Sequence, residues 1–89
     1  VKIWYSPTMS TQDTATALHQ AISVALPGAE IEVIVGSPGH YSLKVTTAAF
    51  AGKTLLAKQR LVFGAITDLM AGEMAPVHAI DKLDTLLPQ

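Results

Sequence analysis

Three histidines, His19, His40 and His78, are the side chains of this chain suited to metal ligation or proton transfer near neutral pH. No cysteine accompanies them. That removes a thiol nucleophile, a Cys-based zinc site and a self-contained Cys-ligated iron–sulfur centre from the available chemistry. His19 stands mid-helix between Leu18 and Gln20 with no partner four residues on, and reads as an exposed helical residue. His40 lies where a Gly-rich loop meets a strand; alone, it reads as a turn-flanking polar residue. His78 falls in Pro76-Val77-His78-Ala79-Ile80, and alone it reads as a partly buried structural histidine. No Ser-His-Asp elbow, H-E-x-x-H segment or carboxylate pair on a common helical face accompanies these residues. Asp81 and Asp84 read as the solvated face of a terminal helical turn. Gly36-Ser37-Pro38-Gly39 has the bare spacing of an RNA-backbone clamp, but it separates two strand patterns, whereas such a clamp joins two helices. Lys53, Lys58 and Arg60 form a small basic patch, a solvated face by default and at most a docking site for an acidic partner or phosphate.

The elements that must position these residues follow from hydrophobic periodicity. Ser10-Thr11-Gln12-Asp13 is a capping-box-like start, and Asp13 suits the positive end of a helix dipole. Leu18, Ile22 and Ala25 or Leu26 then recur at helical spacing until Pro27-Gly28 stops the helix. Glu30 to Val35 alternates, with Ile31, Val33 and Val35 on one face; after the Gly/Pro loop, Tyr41, Leu43 and Val45 alternate with Ser42, Lys44 and Thr46. Two alternating runs joined by that loop predict a β-hairpin. A turn at Ala48 to Lys53 precedes a long helix predicted from about Thr54 to Met70, with Leu55, Leu56, Val62, Phe63, Ile66, Leu69 and Met70 as its apolar stripe. Val77 to Ile80 predicts a third, short strand, and Leu83, Leu86 and Leu87 suggest a last helical turn. The strand–helix–strand crossover makes the third strand parallel to its neighbour. The expected fold is α+β, a three-stranded mixed sheet with the helices packed on one face.

The chain has 89 residues, 49% hydrophobic and 15% charged, with a net charge of −1. That length suits one domain, assigned to residues 10–89, after an N-terminal extension over 1–9 read as disordered, with an edge strand from VKIWY as the alternative. Without disulfides, the apolar core alone must hold the fold. The charge balance argues against a strongly polyanion-binding surface. Apolar runs fall far short of the ~20 residues of a membrane span, and no secretory signal is read, so a soluble intracellular domain is expected.

At Phe50-Ala51-Gly52-Lys53-Thr54-Leu55-Leu56-Ala57-Lys58-Gln59-Arg60-Leu61-Val62-Phe63, followed by Val77-His78-Ala79-Ile80, the sequence resembles the BolA family. The family pattern is an aromatic, one residue, Gly-Lys-Ser or similar, then a His/Gln-Arg-Leu-Val segment, with a strand containing Ile-His-Ala-Leu about fifteen residues on. Gly39-His40-Tyr41 resembles its loop-to-strand segment, and the likeness covers roughly Thr11 to Ile80. The resemblance implies an αββαβ fold of type II KH-like arrangement and a protein that is not an enzyme. It implies a monothiol glutaredoxin as partner in a heterodimer, sharing a [2Fe–2S] cluster in iron–sulfur trafficking or iron signalling. Glutaredoxin and glutathione supply thiolates there, and the BolA protein supplies histidine. Carried over, His78 falls on the family's ligand position, and His40 on the loop position that offers the second ligand in the histidine subclass. No cofactor is then expected in the isolated, monomeric domain, and the compartment is the cytoplasm, or an organelle in a eukaryote. Imidazole in place of thiolate raises the reduction potential, and a protonated imidazole cannot coordinate. This chain departs from the pattern at Gln59, where His is common, and in the tail Asp81 to Thr85, which puts a short third strand in prospect.

A second reading is a nucleic-acid-binding transcriptional regulator, as in a stress response. It would use the KH-like order, Lys53, Lys58 and Arg60, and a helix-turn-helix-like turn at Phe50 to Thr54. The net charge of −1 weakens it, because binding DNA needs several phosphate contacts. A third reading is an interaction module without metal, in which both histidines serve packing.

Overall fold

The structure, a computed structural model, describes residues 11–72 and 75–89. The expectations placed on residues 1–9 and on the Ser10 cap lie outside the described residues. Helix α1 spans Thr11–Ala25, with Asp13 in its first turn. Thr14, Leu18 and Ile22 recur every four residues along its buried side. Leu26, rather than Ala25, continues that line into the core. Gly28 takes a φ of 85°, the left-handed turn that ends the helix without a Cβ penalty.

Strands β1 (Glu30–Val35) and β2 (His40–Thr46) form the predicted antiparallel hairpin. Its loop is closed by Gly36 N–H to the His40 carbonyl at 2.9 Å and by His40 N–H to the Ser37 carbonyl at 2.9 Å. One face of β2, Tyr41, Leu43 and Val45, is buried, while Lys44 on the other is exposed and lies 3.8 Å from Glu32, its cross-strand partner. A 3₁₀ turn at Ala48–Phe50 follows, and its Phe50 ring is fully buried.

Helix α2 spans Leu55–Ala65, opened by Thr54, whose hydroxyl accepts the Ala57 N–H at 3.1 Å. The predicted long helix is broken at Ile66, and a short helix α3 occupies Thr67–Met70. Val62 and Ile66 are fully buried, whereas Leu55, Leu56 and Phe63, assigned to the same stripe, are exposed. Helical spacing says which residues share a face; it does not say how far along the axis the opposing surface extends.

Strand β3 spans Ala79–Leu86 and pairs parallel with β2, giving the sheet order β1-β2-β3. This is the expected α+β architecture: a three-stranded mixed sheet, α1 packed against β1 and α2, and α2 against β3. The tail differs from expectation. It is strand through Leu86 and carries no helical turn, so β3 is long rather than short. The strand also carries a bulge. Tyr41 pairs with Ile80 and Ser42 with Lys82, leaving Asp81 as an extra residue without a register partner. The two core-side residues Ile80 and Leu83 therefore stand three apart, which imitates helical spacing in an otherwise period-two strand. Among the described residues no helix is long and apolar enough to cross a membrane.

Candidate metal-ligand site

His40 opens β2 and His78 immediately precedes β3, and the parallel register sets His40 beside Ala79. The crossover through α2 thus returns the chain to the loop end of the sheet and makes two residues 38 positions apart in sequence near neighbours. Gly39 is the hinge of this arrangement. Its carbonyl accepts two N–H groups, from His78 at 2.8 Å and from Ala79 at 3.1 Å. Its α-carbon faces the His78 ring so closely that a Cβ there would lie 2.8 Å from the ring Cγ. The φ of Gly39 is 82°, left-handed backbone that a glycine adopts freely. The loop therefore lies directly against the imidazole of His78.

His78 is exposed, not the partly buried structural histidine that its apolar neighbours suggested. The residues on either side explain the difference: Val77 is buried, its N–H donating to the Leu69 carbonyl at 3.2 Å, so the next side chain is directed away from the core. His40 keeps 40% of its side chain exposed, and its Nδ1 lies 3.0 Å from Asp81 Oδ1. Asp81 is the residue that sequence reasoning missed, having been read as part of a solvated helical face. Its signal is the pair of charged residues between Ile80 and Leu83, legible as a bulge only once the segment is known to be a strand.

Two imidazoles are a donor set suited to one iron of a mixed His/thiolate cluster, provided that other molecules supply the thiolates. The residues present fit that role, because both rings are solvent-accessible and at the same end of the sheet. Among the described residues no group of three or more His, Cys, Asp or Glu is placed to hold a metal ion unaided.

The other predicted site residues lie elsewhere. Lys53 precedes α2, beyond the far end of β2 from His40, and with Arg60, Leu56 and Leu61 it lines a shallow open groove. Lys58 is half-buried and does not join that lining. His19 is exposed, as expected, with Nδ1 3.5 Å from Ser23 Oγ. The Gly36 to Gly39 loop joins two strands and has no helix on either side.

The fold and this end of the sheet together define an αββαβ domain that carries two solvent-accessible histidines. A model of the BolA-like protein family matches residues 14–88, and the chain belongs to that family. Among solved structures it is similar to a BolA protein homologue from Coxiella burnetii, at 28% identity over 90% of this chain and 92% of that one, with a TM-score of 0.67. BolA1 from Mus musculus shares the fold with a TM-score of 0.69, at 24% identity over 99% of this chain and 76% of that one. The BolA domain of SufE1 from Arabidopsis thaliana does so with a TM-score of 0.68, at 20% identity over 90% of this chain and 95% of that one. No curated protein sequence matches the chain.

Proposed function

We propose that this protein is a non-enzymatic iron–sulfur accessory protein that binds a monothiol glutaredoxin and donates His78 and His40 to a shared [2Fe–2S] cluster. The observation that carries this reading is the placement of the two histidines at one end of the sheet, both accessible, in a chain with no cysteine of its own. Membership of the BolA-like family supports the accessory role, since the family is not one of known enzymes. When bound, the cluster supplies one-electron redox chemistry and iron that can be passed on.

The work of the chain itself is presentation. The Gly39 carbonyl holds the backbone of His78 and Ala79, the flat face of Gly39 confines the His78 ring, and Asp81 engages one nitrogen of His40. Thiolates come from the partner and from glutathione, and the free domain is a metal-free monomer in the cytoplasm or, in a eukaryote, an organelle.

Anaerobic reconstitution with a monothiol glutaredoxin and glutathione tests the reading, with visible absorption and circular dichroism comparing wild type, His78→Ala and His40→Ala. The expected result is a spectrum distinct from that of the glutaredoxin homodimer, lost in His78→Ala and altered in His40→Ala. A homodimer spectrum left unchanged by the wild-type chain overturns the proposal.

A further inference from the structure

We infer that Asp81 is a positioning residue for His40: its carboxylate holds Nδ1 as the protonated nitrogen and leaves Nε2 as the bare donor. This rests on the reading of His40 as a ligand and adds to it the residue that decides which nitrogen ligates. The contact is 3.0 Å between His40 Nδ1 and Asp81 Oδ1. An ionised carboxylate accepts only, so a neutral ring in this contact must carry its proton on Nδ1. Metal-ligating histidines commonly donate their other ring N–H to such a partner, which fixes the tautomer and the ring plane.

The backbone shows how the carboxylate reaches this place. Asp81 is the bulged residue of β3, opposite the step between Tyr41 and Ser42 and without a register partner of its own. In a regular strand Ile80 and the residue after it would continue the ladder and point to opposite faces. The extra residue breaks that alternation and re-aims one side chain toward the loop end of the sheet. The hairpin loop lies beside it: Gly36, whose N–H bonds the His40 carbonyl, is close enough that a Cβ there would be in ordinary contact with Asp81 Oδ2, at 3.8 Å. The two rings are thus constrained by different means: His78 by the face of Gly39, His40 by a carboxylate arriving from β3.

Two measurements test the inference, the first on the free protein without metal. Long-range ¹H–¹⁵N correlation spectra are recorded at pH of about 8.5, where an ordinary imidazole is neutral. They are expected to show His40 protonated at Nδ1 in the wild type, and protonated mainly at Nε2, the form free imidazole favours, in Asp81→Ala. Asp81→Asn, whose amide group can donate to a bare Nδ1, is likewise expected to shift His40 to the Nε2-protonated form. Far-UV circular dichroism and a cooperative thermal transition establish that each variant is folded.

The second measurement follows cluster loss to a chelator from the reconstituted heterodimer with glutaredoxin. Loss is expected to be roughly 10–100-fold faster in Asp81→Ala than in wild type, as for other hydrogen-bond partners of metal-ligating histidines, and faster than wild type in Asp81→Asn also. An Nε2-protonated His40 in the wild type, or a tautomer unchanged in Asp81→Ala, overturns the role of Asp81 whatever the cluster does. A changed tautomer with unchanged cluster loss overturns it also. A wild-type chain that forms no mixed cluster overturns the ligand reading instead, and with it the purpose given to this tautomer.

Discussion

At the scale of single residues, the histidine edge depends on a residue with no side chain. Gly39 combines a φ of 82° with direct contact to the His78 ring. Gly39→Ala meets two penalties. Left-handed backbone costs an L-residue about 1–2 kcal/mol, and a Cβ 2.8 Å from the ring Cγ forces the imidazole to move. The expected outcome is a loss of about 1–2 kcal/mol in urea unfolding, accompanied by shifted His78 ring resonances. Unchanged stability and an unmoved His78 would remove Gly39 from the site. The same contact means that the loop and His78 are one unit, since Gly39 also receives both backbone N–H groups that dock the start of β3.

At the scale of elements, the helices and the third strand carry different constraints. Helix α2 contains Gly64, which is exposed, has no positive φ and would place a Cβ in open space. Glycine inside a helix is less favourable than alanine by roughly 0.5–1 kcal/mol. Gly64→Ala is therefore expected to stabilise the domain by about that amount, read as a higher midpoint in thermal or urea unfolding. A destabilised variant would mean that the surface around Gly64 is not open. Strand β3 shows the opposite economy. It accepts an interrupted ladder at Asp81, and the interruption places a carboxylate on His40.

At the scale of the whole molecule, charge and topology set what can be bound. The sheet brings His40 and His78 to one end, while Lys53 and Arg60 share a groove at the start of α2. The 89 residues carry a net charge of −1. Non-specific DNA affinity scales with the number of phosphates neutralised, and three cations of which one is half-buried neutralise few. At about 150 mM salt the protein is expected to form no complex with a mixed-sequence duplex at micromolar concentration, by gel shift or fluorescence anisotropy. A salt-sensitive complex abolished by Lys53→Glu and Arg60→Glu would revive the nucleic-acid reading.

The local pattern was enough for most of the framework. Leu18 and Ile22, the alternation of Tyr41, Leu43 and Val45, and the loop between them determined α1 and the hairpin, because burial follows the period of each element. The motif residues also determined the family, and the order of elements determined that β3 runs parallel to β2. The tail was misread because Leu83, Leu86 and Leu87 fall at helical spacing, and nothing within the tail marks it as a strand. Exposure of Leu55, Leu56 and Phe63 was equally illegible, since it depends on where the opposing surface ends. Above all, the contact of His40 with Asp81 and of Gly39 with His78 joins residues about 40 positions apart. Such contacts are fixed by the register of two parallel strands, a property of the pair that neither strand contains alone.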